Sequence, residues 1–321
     1  MKFLYFDHPV AGNWRLGVLK GDAVVDVTAA VSDLPHSDPR GDPRGLINAV
    51  IAHYAACKAV IESAATSGTP LPLADVRLRP PLPLPRQIDC MARNYMEDGT
   101  LTEPPEINGF HKSPSAIIGY GDTMVLPDVA AGIFEGEAEL ALVIGTRATN
   151  VSAADAMDHV FGYMNFIDGS ARDLPPAGNT FFQVKSRDTF APIGPYLVTA
   201  DEVPDPHGLP VRLTVNGTVM QGFSTSDMAH KIPRCIEWLS SIHTLEPGDI
   251  VATGTNHRGL NAFQDGDRVE LEVGSLGLLR VHVSDPLKRN WARDTRLQHK
   301  EKGLPGPYTP QLTGKYAATG D

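Results

Sequence analysis

The eleven residues from Phe134 to Ile144, FEGEAELALVI, constrain the fold of this chain more than any other stretch. Glu135, Glu137 and Glu139 occupy alternate positions and lead directly into an unbroken apolar run. In a β-strand, successive side chains point to opposite faces, so all three carboxylates lie on the same face. The apolar run leaves no polar face, which is typical of a strand that is buried on both sides. The stretch therefore predicts a core strand that carries three like charges side by side.

A bound divalent cation is an economical explanation of these charges. A solvated strand face is the alternative, but the apolar continuation favours burial. Buried carboxylates without partners are costly and take up protons instead. Carboxylate oxygens are also the ligands that Mg²⁺, Ca²⁺ and Mn²⁺ prefer. The formal net charge of −10 is compatible with recruiting such a cation, and it argues against binding to nucleic acid or to an anionic membrane.

The cysteines and the apolar segments indicate the cellular compartment of the protein. Cys57, Cys90 and Cys235 are scattered and form no CxxC pair, which is typical of a reducing compartment without disulfides. The N-terminal segment lacks the long apolar stretch of a signal peptide, and no later segment approaches the length of about 18 apolar residues expected of a membrane helix. We expect a cytoplasmic protein without a membrane span.

The N-terminal part of the sequence predicts two units. Residues 1–75 combine a short β-meander with apolar residues at helical spacing between Pro43 and Ala65, so we predict a small N-terminal α+β domain. Residues 76–87 are dense in proline, which favours an extended linker over a packed element.

The remaining sequence predicts a larger domain and an extension. Residues 88–285 contain strand patterns of moderate length, and Asn216-Gly217 predicts a hairpin with a type I′ turn. The predicted fold class is mainly β, mixed α/β. Residues 286–321 are basic at first and weakly patterned, so we expect an extension that is irregular or wrapped on a partner.

Three further stretches contain residues of chemical interest. Asp168 follows an apolar segment, where a metal ligand is common, although a strand-ending Asp or a helix N-cap is the plain alternative. Lys185 lies among aromatic and apolar residues. Most lysines are surface residues, but beside a metal site this one would stabilise an oxyanion. Thr253, Gly254 and Thr255 offer hydroxyl and backbone N–H groups that suit a substrate carboxylate.

Six stretches, taken in order, carry a family resemblance. They are SPSAIIGYGDTMVLP, EGEAELALVIG, GSARD, KSRDTFAPIGPYLVT, VNGTVMQGFSTSDM and LEPGDIVATGT. With them, residues 88–285 resemble the fumarylacetoacetate hydrolase family. The resemblance implies the family's β-roll catalytic domain, preceded by its variable N-terminal domain in residues 1–75. The segment after Asp285 matches no part of the family pattern.

The resemblance implies a metal site and a cationic residue beside it. In the family, two glutamates before the apolar strand and the aspartate before SARD bind Mg²⁺ or Mn²⁺. Here these residues are Glu137, Glu139 and Asp168, and Ca²⁺ is a further candidate. Glu135 falls outside this ligand set. The lysine of KSxDTF, here Lys185, would polarise the substrate carbonyl or enolate.

The resemblance also implies the ligand and the assembly. Thr255 of the TGT motif would contact a substrate carboxylate. Arg172 of SARD and Tyr95 of the NY pair match family positions, and we predict that both bind substrate. The implied substrate is a small 2-oxo or 1,3-dicarbonyl acid, and the implied assembly is a homodimer.

The residues for proton transfer depart from the family pattern. Where the family has GxNYxxHxxE, this chain has ARNYMEDGTLTE, so Asp98 replaces the histidine and Leu101 replaces the glutamate. A solvated aspartate, with a reference pKa of about 3.9, is a poor base near neutral pH. Either burial or a neighbouring carboxylate such as Glu97 raises the pKa of Asp98, or a histidine substitutes for it. His257 of TGTNHRG is the first candidate and His111 the second, and histidines that only pack or face solvent are the plain alternative.

Three functions are compatible with these residues. The first is a metal-dependent hydrolase that cleaves a C–C bond in an acylpyruvate-type 1,3-dicarbonyl acid, with the ion as Lewis acid. The second is a decarboxylase or a tautomerase or isomerase of a 2-oxo acid on the same metal platform, which needs no activated water. The third is a degenerate, non-catalytic binder of a small acid, against which the intact metal ligands and Lys185 argue. We favour the hydrolase.

Overall fold

The computed structural model describes residues 1–10, 12–35, 42–175 and 181–318, and within these ranges the chain forms nineteen strands and five α-helices. The strands are β1 (Lys2–Asp7), β2 (Trp14–Lys20), β3 (Ala23–Asp26), β4 (Pro70–Pro72), β5 (Arg77–Arg79), β6 (Ile88–Met91), β7 (Gly109–Lys112), β8 (Ile117–Ile118), β9 (Thr123–Val125), β10 (Phe134–Ile144), β11 (Val160–Ala171), β12 (Ala191–Thr199), β13 (Pro210–Val215), β14 (Thr218–Ser224), β15 (Ile250–Ala252), β16 (Arg268–Val273), β17 (Leu278–Ser284), β18 (Asn290–Trp291) and β19 (Gln311–Thr313). The helices are α1 (Leu46–Ala52), α2 (Tyr54–Ser67), α3 (Phe181–Lys185), α4 (Ile232–Ile242) and α5 (Arg296–Glu301). The predicted mainly β, mixed α/β class is confirmed. Of the helices in the described ranges, none is both long enough and apolar enough to cross a lipid bilayer.

Strands β10 and β11 lie at the centre of the largest sheet. Its twelve strands follow the order β4-β3-β2-β1-β12-β11-β10-β15-β6-β7, with β5 beside β1 and β8 beside β12. A second sheet has the order β14-β13-β16-β17-β9, and β18 pairs with β19. β10 and β11 pair antiparallel along almost their whole length, and Glu137 lies directly opposite Asp168. This register brings two of the predicted metal ligands together.

Every residue of β10 is buried, because its two faces pack against different layers. Leu140 and Leu142 belong to the core that the large sheet shares with the five-stranded sheet. Ala141 and Val143 belong to a second core, which includes residues of α1 and α2. A strand covered on both faces needs apolar residues at every position, so the buried strand predicted from the apolar run is confirmed.

Residues 76–87 are packed against the N-terminal strands, so the prediction of an unpacked linker is wrong there. β5 pairs antiparallel with β1, and Leu78 and Leu82 are buried. Arg79 forms an ion pair with Asp7, with Nη2 2.6 Å from Oδ2. The strand was concealed because its short alternating pattern lies among prolines. The domain boundaries at residues 75 and 88 stay a prediction, although β1 also pairs with β12 and thereby continues the large sheet.

The C-terminal segment packs on its own chain, which the expectation of an irregular or partner-wrapped extension missed. Trp291 of β18 is buried and donates from Nε1 to the carbonyl oxygen of Gly132 at 2.7 Å. Arg289 is fully buried and pairs with Asp285, with Nε 2.9 Å from Oδ2. These anchors are single polar or aromatic side chains, which leave no periodic signal in the sequence.

Gly136 separates two of the glutamates of β10 and faces the opposite side of the sheet, where no side chain fits. A Cβ atom at this position would lie 2.3 Å from Cε2 of Phe263 and 2.9 Å from Cγ2 of Ile167. Both neighbours are fully buried. We expect Gly136→Ala to lower the free energy of unfolding by about 1–3 kcal/mol, as overpacking of a filled core does. Urea denaturation followed by circular dichroism measures the change.

A matched control for this prediction is Gly222→Ala on β14. There the nearest atom to an added Cβ is Cγ1 of Val219 at 3.8 Å, and the position is exposed. We expect the free energy of unfolding to change by no more than about 0.5 kcal/mol. Equal denaturation midpoints for the two variants would show that the core around Gly136 adapts without strain.

Candidate active site

The pairing of β10 with β11 gathers the predicted metal ligands into one buried cluster. Glu137 and Glu139 point to the same face of β10, and Asp168 approaches from β11. One carboxylate oxygen from each residue lies within 4.8 Å of the other two, and all three residues are buried. The geometry is that of three oxygen donors around one small volume.

Two buried lysines neutralise part of this cluster. Lys185, the last residue of α3, places Nζ 2.8 Å from Oε1 of Glu137 and 2.5 Å from Oδ2 of Asp168. Lys112, the last residue of β7, places Nζ 2.5 Å from Oδ1 of Asp168 and donates to the carbonyl oxygen of Gly169 at 3.1 Å. Sequence reasoning identified Lys185 and missed Lys112, because only the fold shows which lysine of an edge strand points inward.

The carboxylates of the cluster differ in their affinity for protons. Burial raises the pKa of Glu137, but the charges of Lys185 and Arg172 outweigh burial and hold this pKa well below its usual range. Burial, followed by repulsion from Asp168 and Glu137, raises the pKa of Glu139 well above its usual range. Glu139 therefore binds a proton more tightly than an ordinary glutamate does.

Glu139 differs from the other two carboxylates in its partners. The main-chain N–H of Gly254 donates to Oε2 of Glu139 at 2.7 Å, and glycine suits this position because its φ is +87°. The lysine ion pairs end at Glu137 and Asp168. Three convergent carboxylate oxygen donors fit a divalent metal ion.

Glu135 points to a different set of partners. Its carboxylate accepts from Nε of Arg172 at 2.9 Å, from Nε of Arg296 at 2.9 Å and from Nη2 of Arg296 at 2.5 Å. Burial raises the pKa of Glu135, but the two arginines outweigh burial and lower this pKa. Arg172 also donates to Glu137, so it links the Glu135 site to the metal-ligand cluster. Sequence reasoning missed Arg296, which lies in the C-terminal extension.

A cavity of about 1150 Å³ opens onto the cluster. Its lining includes Lys185, Arg172 and Arg296, together with Glu137. The segment after β6 forms another part of the lining, including Leu101.

Thr255 and Tyr95, which were also predicted to bind substrate, line this cavity, but their hydroxyl groups differ in their hydrogen bonds. Thr255 donates from Oγ1 to the carbonyl oxygen of Ala138 at 2.8 Å and accepts from Nε2 of Gln221 at 2.9 Å, so its hydroxyl group holds the TGT turn against β10. Tyr95 is buried, and its hydroxyl group has no hydrogen-bond partner among the described residues. Burial raises the pKa of Tyr95, so the hydroxyl group remains a proton donor.

His257 pairs with a carboxylate at the wall of the cavity. Its Nδ1 lies 2.6 Å from Oε1 of Glu97, and its main-chain N–H donates to Oε2 of Glu97 at 2.9 Å. Both residues line the cavity. A carboxylate on Nδ1 fixes the ring so that Nε2 is available to accept a proton. In the sequence, Glu97 stands out only as a carboxylate next to Asp98, and the histidine that it contacts lies far along the chain.

The other two candidates for a base lie elsewhere. The Asp98 carboxylate is half-exposed, accepts from Nη1 of Arg258 at 3.0 Å, and is not among the described residues that line the cavity. The mostly exposed His111 ring lies with Nδ1 2.9 Å from Oδ1 of Asp89, and Nε2 of His243 lies 3.3 Å from the same oxygen. His111 thus belongs to a separate cluster. The geometry favours His257 over both.

Comparison with known proteins agrees with this architecture. The central pair β10–β11 gathers three carboxylates, two lysines contact them, and Glu137 and Lys185 line the cavity, an arrangement typical of enzymes that bind a divalent metal ion. Residues 87–284 match the family model described as fumarylacetoacetate (FAA) hydrolase, C-terminal. The chain belongs to the fumarylacetoacetate hydrolase family.

Relatives with different activities share the fold. A mitochondrial oxaloacetate tautomerase of Bos taurus is 34% identical over 293 residues, which are 87% of this chain and 90% of that protein. The crystal structure of a maleylpyruvate hydrolase from Sphingobium sp. SYK-6 is 35% identical, with a TM-score of 0.78 over 89% of this chain and all of that one. A second structure of that hydrolase, in complex with manganese(II) and pyruvate, has a TM-score of 0.77 at 35% identity over 89% of this chain and 99% of that one.

Proposed function

We propose that this chain is a divalent-metal-dependent hydrolase that cleaves a C–C bond in an acylpyruvate-type 1,3-dicarbonyl acid. The observation that carries the proposal is the pair of Glu97 and His257, which lines the same cavity as the carboxylate cluster. Hydrolysis requires a base for water, and this pair supplies one where the family histidine and glutamate are replaced. Similarity to a maleylpyruvate hydrolase over 89% of the chain supports the same reaction class.

Glu137, Glu139 and Asp168 would hold the ion, with Mg²⁺ or Mn²⁺ as the first candidates and Ca²⁺ as a further one. When bound, the ion supplies Lewis-acid chemistry to the oxygen atoms of the 2-oxo acid. The manganese and pyruvate in the related hydrolase support a 2-oxo acid as the ligand of this site.

The residues of the chain provide the proton transfer and the charge stabilisation. Nε2 of His257 accepts a proton from water while Glu97 holds Nδ1–H. The oxygen of that water attacks the distal carbonyl carbon, and the C–C bond breaks with its electron pair left on the pyruvate side. The buried ammonium of Lys185 lies at the metal-ligand cluster, beside Glu137 and Asp168. From there its positive charge stabilises the negative charge that develops on the pyruvate side. The proton that His257 took from water is then delivered to the enolate carbon, which completes pyruvate and returns the imidazole to its neutral form.

A tautomerase or isomerase acting on a 2-oxo acid is the second candidate. The relative that is 34% identical over 87% of this chain is an oxaloacetate tautomerase. The same histidine–carboxylate pair would serve such a reaction, because it moves a proton between carbon and oxygen without adding water. A decarboxylase of the same acids needs only stabilisation of the enolate and a proton donor.

Product analysis tests the proposal directly. The purified protein is incubated with Mn²⁺ and either an acylpyruvate or oxaloacetate, while enol absorbance and products are followed. Release of pyruvate and a carboxylic acid from the acylpyruvate supports the hydrolase. Faster enol–keto exchange without a new product indicates the tautomerase, and release of carbon dioxide indicates the decarboxylase. Metal and acid binding without turnover would leave only the non-catalytic binder.

Replacement of Lys185 by methionine is expected to lower turnover about 10²–10³-fold, the usual cost of removing one group that stabilises a developing oxyanion. The lysine is buried between two carboxylates, so a solvent cation does not replace it. Steady-state kinetics measures the loss, and equilibrium dialysis with Mn²⁺ checks that the metal is still bound. Lys58→Met removes an exposed lysine on α2 and serves as the control. Turnover by Lys185→Met close to that of Lys58→Met would assign a structural role to Lys185.

The cytoplasmic location and the homodimer stay predictions. Light scattering coupled to size-exclusion chromatography would report the assembly. The location requires imaging of the native protein in its own cell.

A further inference from the structure

The C-terminal extension, residues 286–318, is fixed against the strand that carries the metal ligands. Arg289 pairs with Asp285, and both side chains are fully buried. The Arg289 guanidinium also donates to two carbonyl oxygens of the segment before β10, at 2.9 Å each, and lies 4.6 Å from the centroid of the Phe134 ring. A buried arginine is tolerated only where its donors are satisfied, so the start of the extension has one defined position.

A second set of contacts brings α5 beside the segment that follows His257. Arg293 forms a two-pronged ion pair with Asp267, at 2.7 and 2.8 Å. The main-chain N–H of Arg296 donates to the carbonyl oxygen of Leu260 at 2.8 Å. Thr295 and Gln298 form a capping box at the first turn. The backbone that carries Arg296 is therefore held at both sides of the residue.

Arg296 reaches the cavity with one donor group to spare. Its Nε and Nη2 are taken by Glu135, and its side chain lines the cavity and is 21% exposed. Among the described residues, Nη1 of Arg296 has no hydrogen-bond partner. Arg172 is bound in the same way, through Nε to Glu135 and through Nη2 to Glu137, and its Nη1 likewise has no partner among the described residues. Glu135 thus orients two guanidinium groups that each keep a free end.

The free ends of the two guanidinium groups favour a second carboxylate on the ligand. Arg172 and Arg296 both line the cavity, and Nη1 of each has no partner among the described residues. The carboxylate of a 2-oxo acid group that lies at the metal-ligand cluster leaves these two donors unused. A second carboxylate at the far end of the ligand can accept from them, and a hydrogen bond between two charged groups is stronger than one between neutral groups.

We propose that Arg296 binds the distal carboxylate of the substrate, so that the C-terminal extension selects 2-oxo dicarboxylates over monocarboxylates. The inference rests on the proposed function, because Arg296 would bind the acyl end of the substrate that the proposed hydrolase cleaves. Arg296 lies beyond residue 284, where the matching region of the family model ends. The extension thus forms one side of the active site and takes part in substrate recognition.

Binding of inert 2-oxo acids tests the proposal without depending on turnover. Calorimetric titration of the Mn²⁺-loaded protein compares 2-oxoglutarate, which has a distal carboxylate and no bond for this hydrolase to cleave, with pyruvate. We expect Arg296→Gln to weaken 2-oxoglutarate binding about 10- to 100-fold, the usual range for a lost charged hydrogen bond, and to leave pyruvate binding unchanged. Lys300→Gln removes an exposed cation from the same helix and is expected to retain the wild-type affinities for both acids.

The outcomes separate this inference from the proposed function. Arg296→Lys keeps the positive charge but not the planar guanidinium group that contacts Glu135 through two donors, so we expect an intermediate affinity for 2-oxoglutarate. This variant replaces Arg296→Gln if the latter does not fold. Equal weakening of both acids, or no weakening of either, would overturn the role of Arg296. A wild-type protein that binds both acids equally would overturn it as well. If the preference for 2-oxoglutarate depends on Arg296 but no acylpyruvate is hydrolysed, the proposed function fails and the role of Arg296 stands.

Discussion

Replacement of Glu139 by glutamine is expected to abolish metal binding and, with it, metal-dependent turnover. Glutamine has the shape of a protonated glutamate, and the pKa of Glu139, raised well above its usual range by burial and by Asp168 and Glu137, favours the protonated form in the metal-free protein. Oε1 of the amide can still accept from the main-chain N–H of Gly254. We therefore expect the metal-free variant to be as stable as the metal-free wild type, and only the response to metal to change.

The measurement is a thermal melt with and without Mn²⁺, together with equilibrium dialysis. At a metal concentration of about 100 times the dissociation constant, binding stabilises the wild type by about 2.7 kcal/mol, and Glu139→Gln should show no such gain. Glu135→Gln is the matched control, because this residue lies on the same face of β10 but pairs only with Arg172 and Arg296. If Glu139→Gln still binds Mn²⁺ like the wild type, Glu139 is not a ligand.

The pKa of Glu139 also sets the direction of the pH dependence. Metal binding has to expel the proton of Glu139, so the affinity of the wild type for Mn²⁺ rises with pH. The stabilisation by Mn²⁺ is fully present above the raised pKa of Glu139 and is lost as the pH falls below it. Melts at a series of pH values and constant metal concentration measure this trend, and stabilisation that grows toward acid pH would contradict it.

Replacement of His257 by asparagine is expected to lower kcat/KM about 10²–10⁴-fold, the range for removal of a general base. His257 lines the cavity, and Glu97 occupies its Nδ1, which leaves Nε2 as the nitrogen proposed to accept the proton. The wild-type rate should fall toward acid pH, because a protonated ring accepts no proton, and this acid limb should disappear in the variant. A pH–rate profile with Mn²⁺ at a saturating concentration measures both effects.

Two further variants locate the base. Glu97→Gln keeps the histidine but weakens its orientation, so we expect a smaller loss in the same direction. Asp98→Asn is the control within the same loop, and we expect little change because this carboxylate pairs with Arg258 at a half-exposed position. An acid limb that vanishes in Asp98→Asn and persists in His257→Asn would return the role of base to Asp98. If neither variant changes the pH–rate profile and no hydrolysis product forms, a tautomerase or decarboxylase becomes the better explanation of the site.

The sequence by itself determined the features that depend on neighbours along the chain. The alternation of Glu137 and Glu139 on one face follows from the pleat of a strand, and the apolar run after them predicted burial of β10 on both faces. The hairpin at Asn216-Gly217 was predicted correctly from two residues that adopt positive φ, at 53° and 83°. Local rules of periodicity and turn chemistry suffice for such features. The family motifs, which are also local strings, located Asp168 and Lys185.

Only the tertiary structure decided which distant groups meet. Lys112 reaches Asp168 across the sheet, Glu97 reaches His257 across 160 positions of sequence, and Arg296 reaches Glu135 from an extension without any periodic pattern. The energy of such polar contacts depends on distances of a few ångströms and on burial, and the fold alone sets both. Residues that are remote in sequence acquire a common environment only when strands pair and loops pack, so their partners leave no trace in the local sequence.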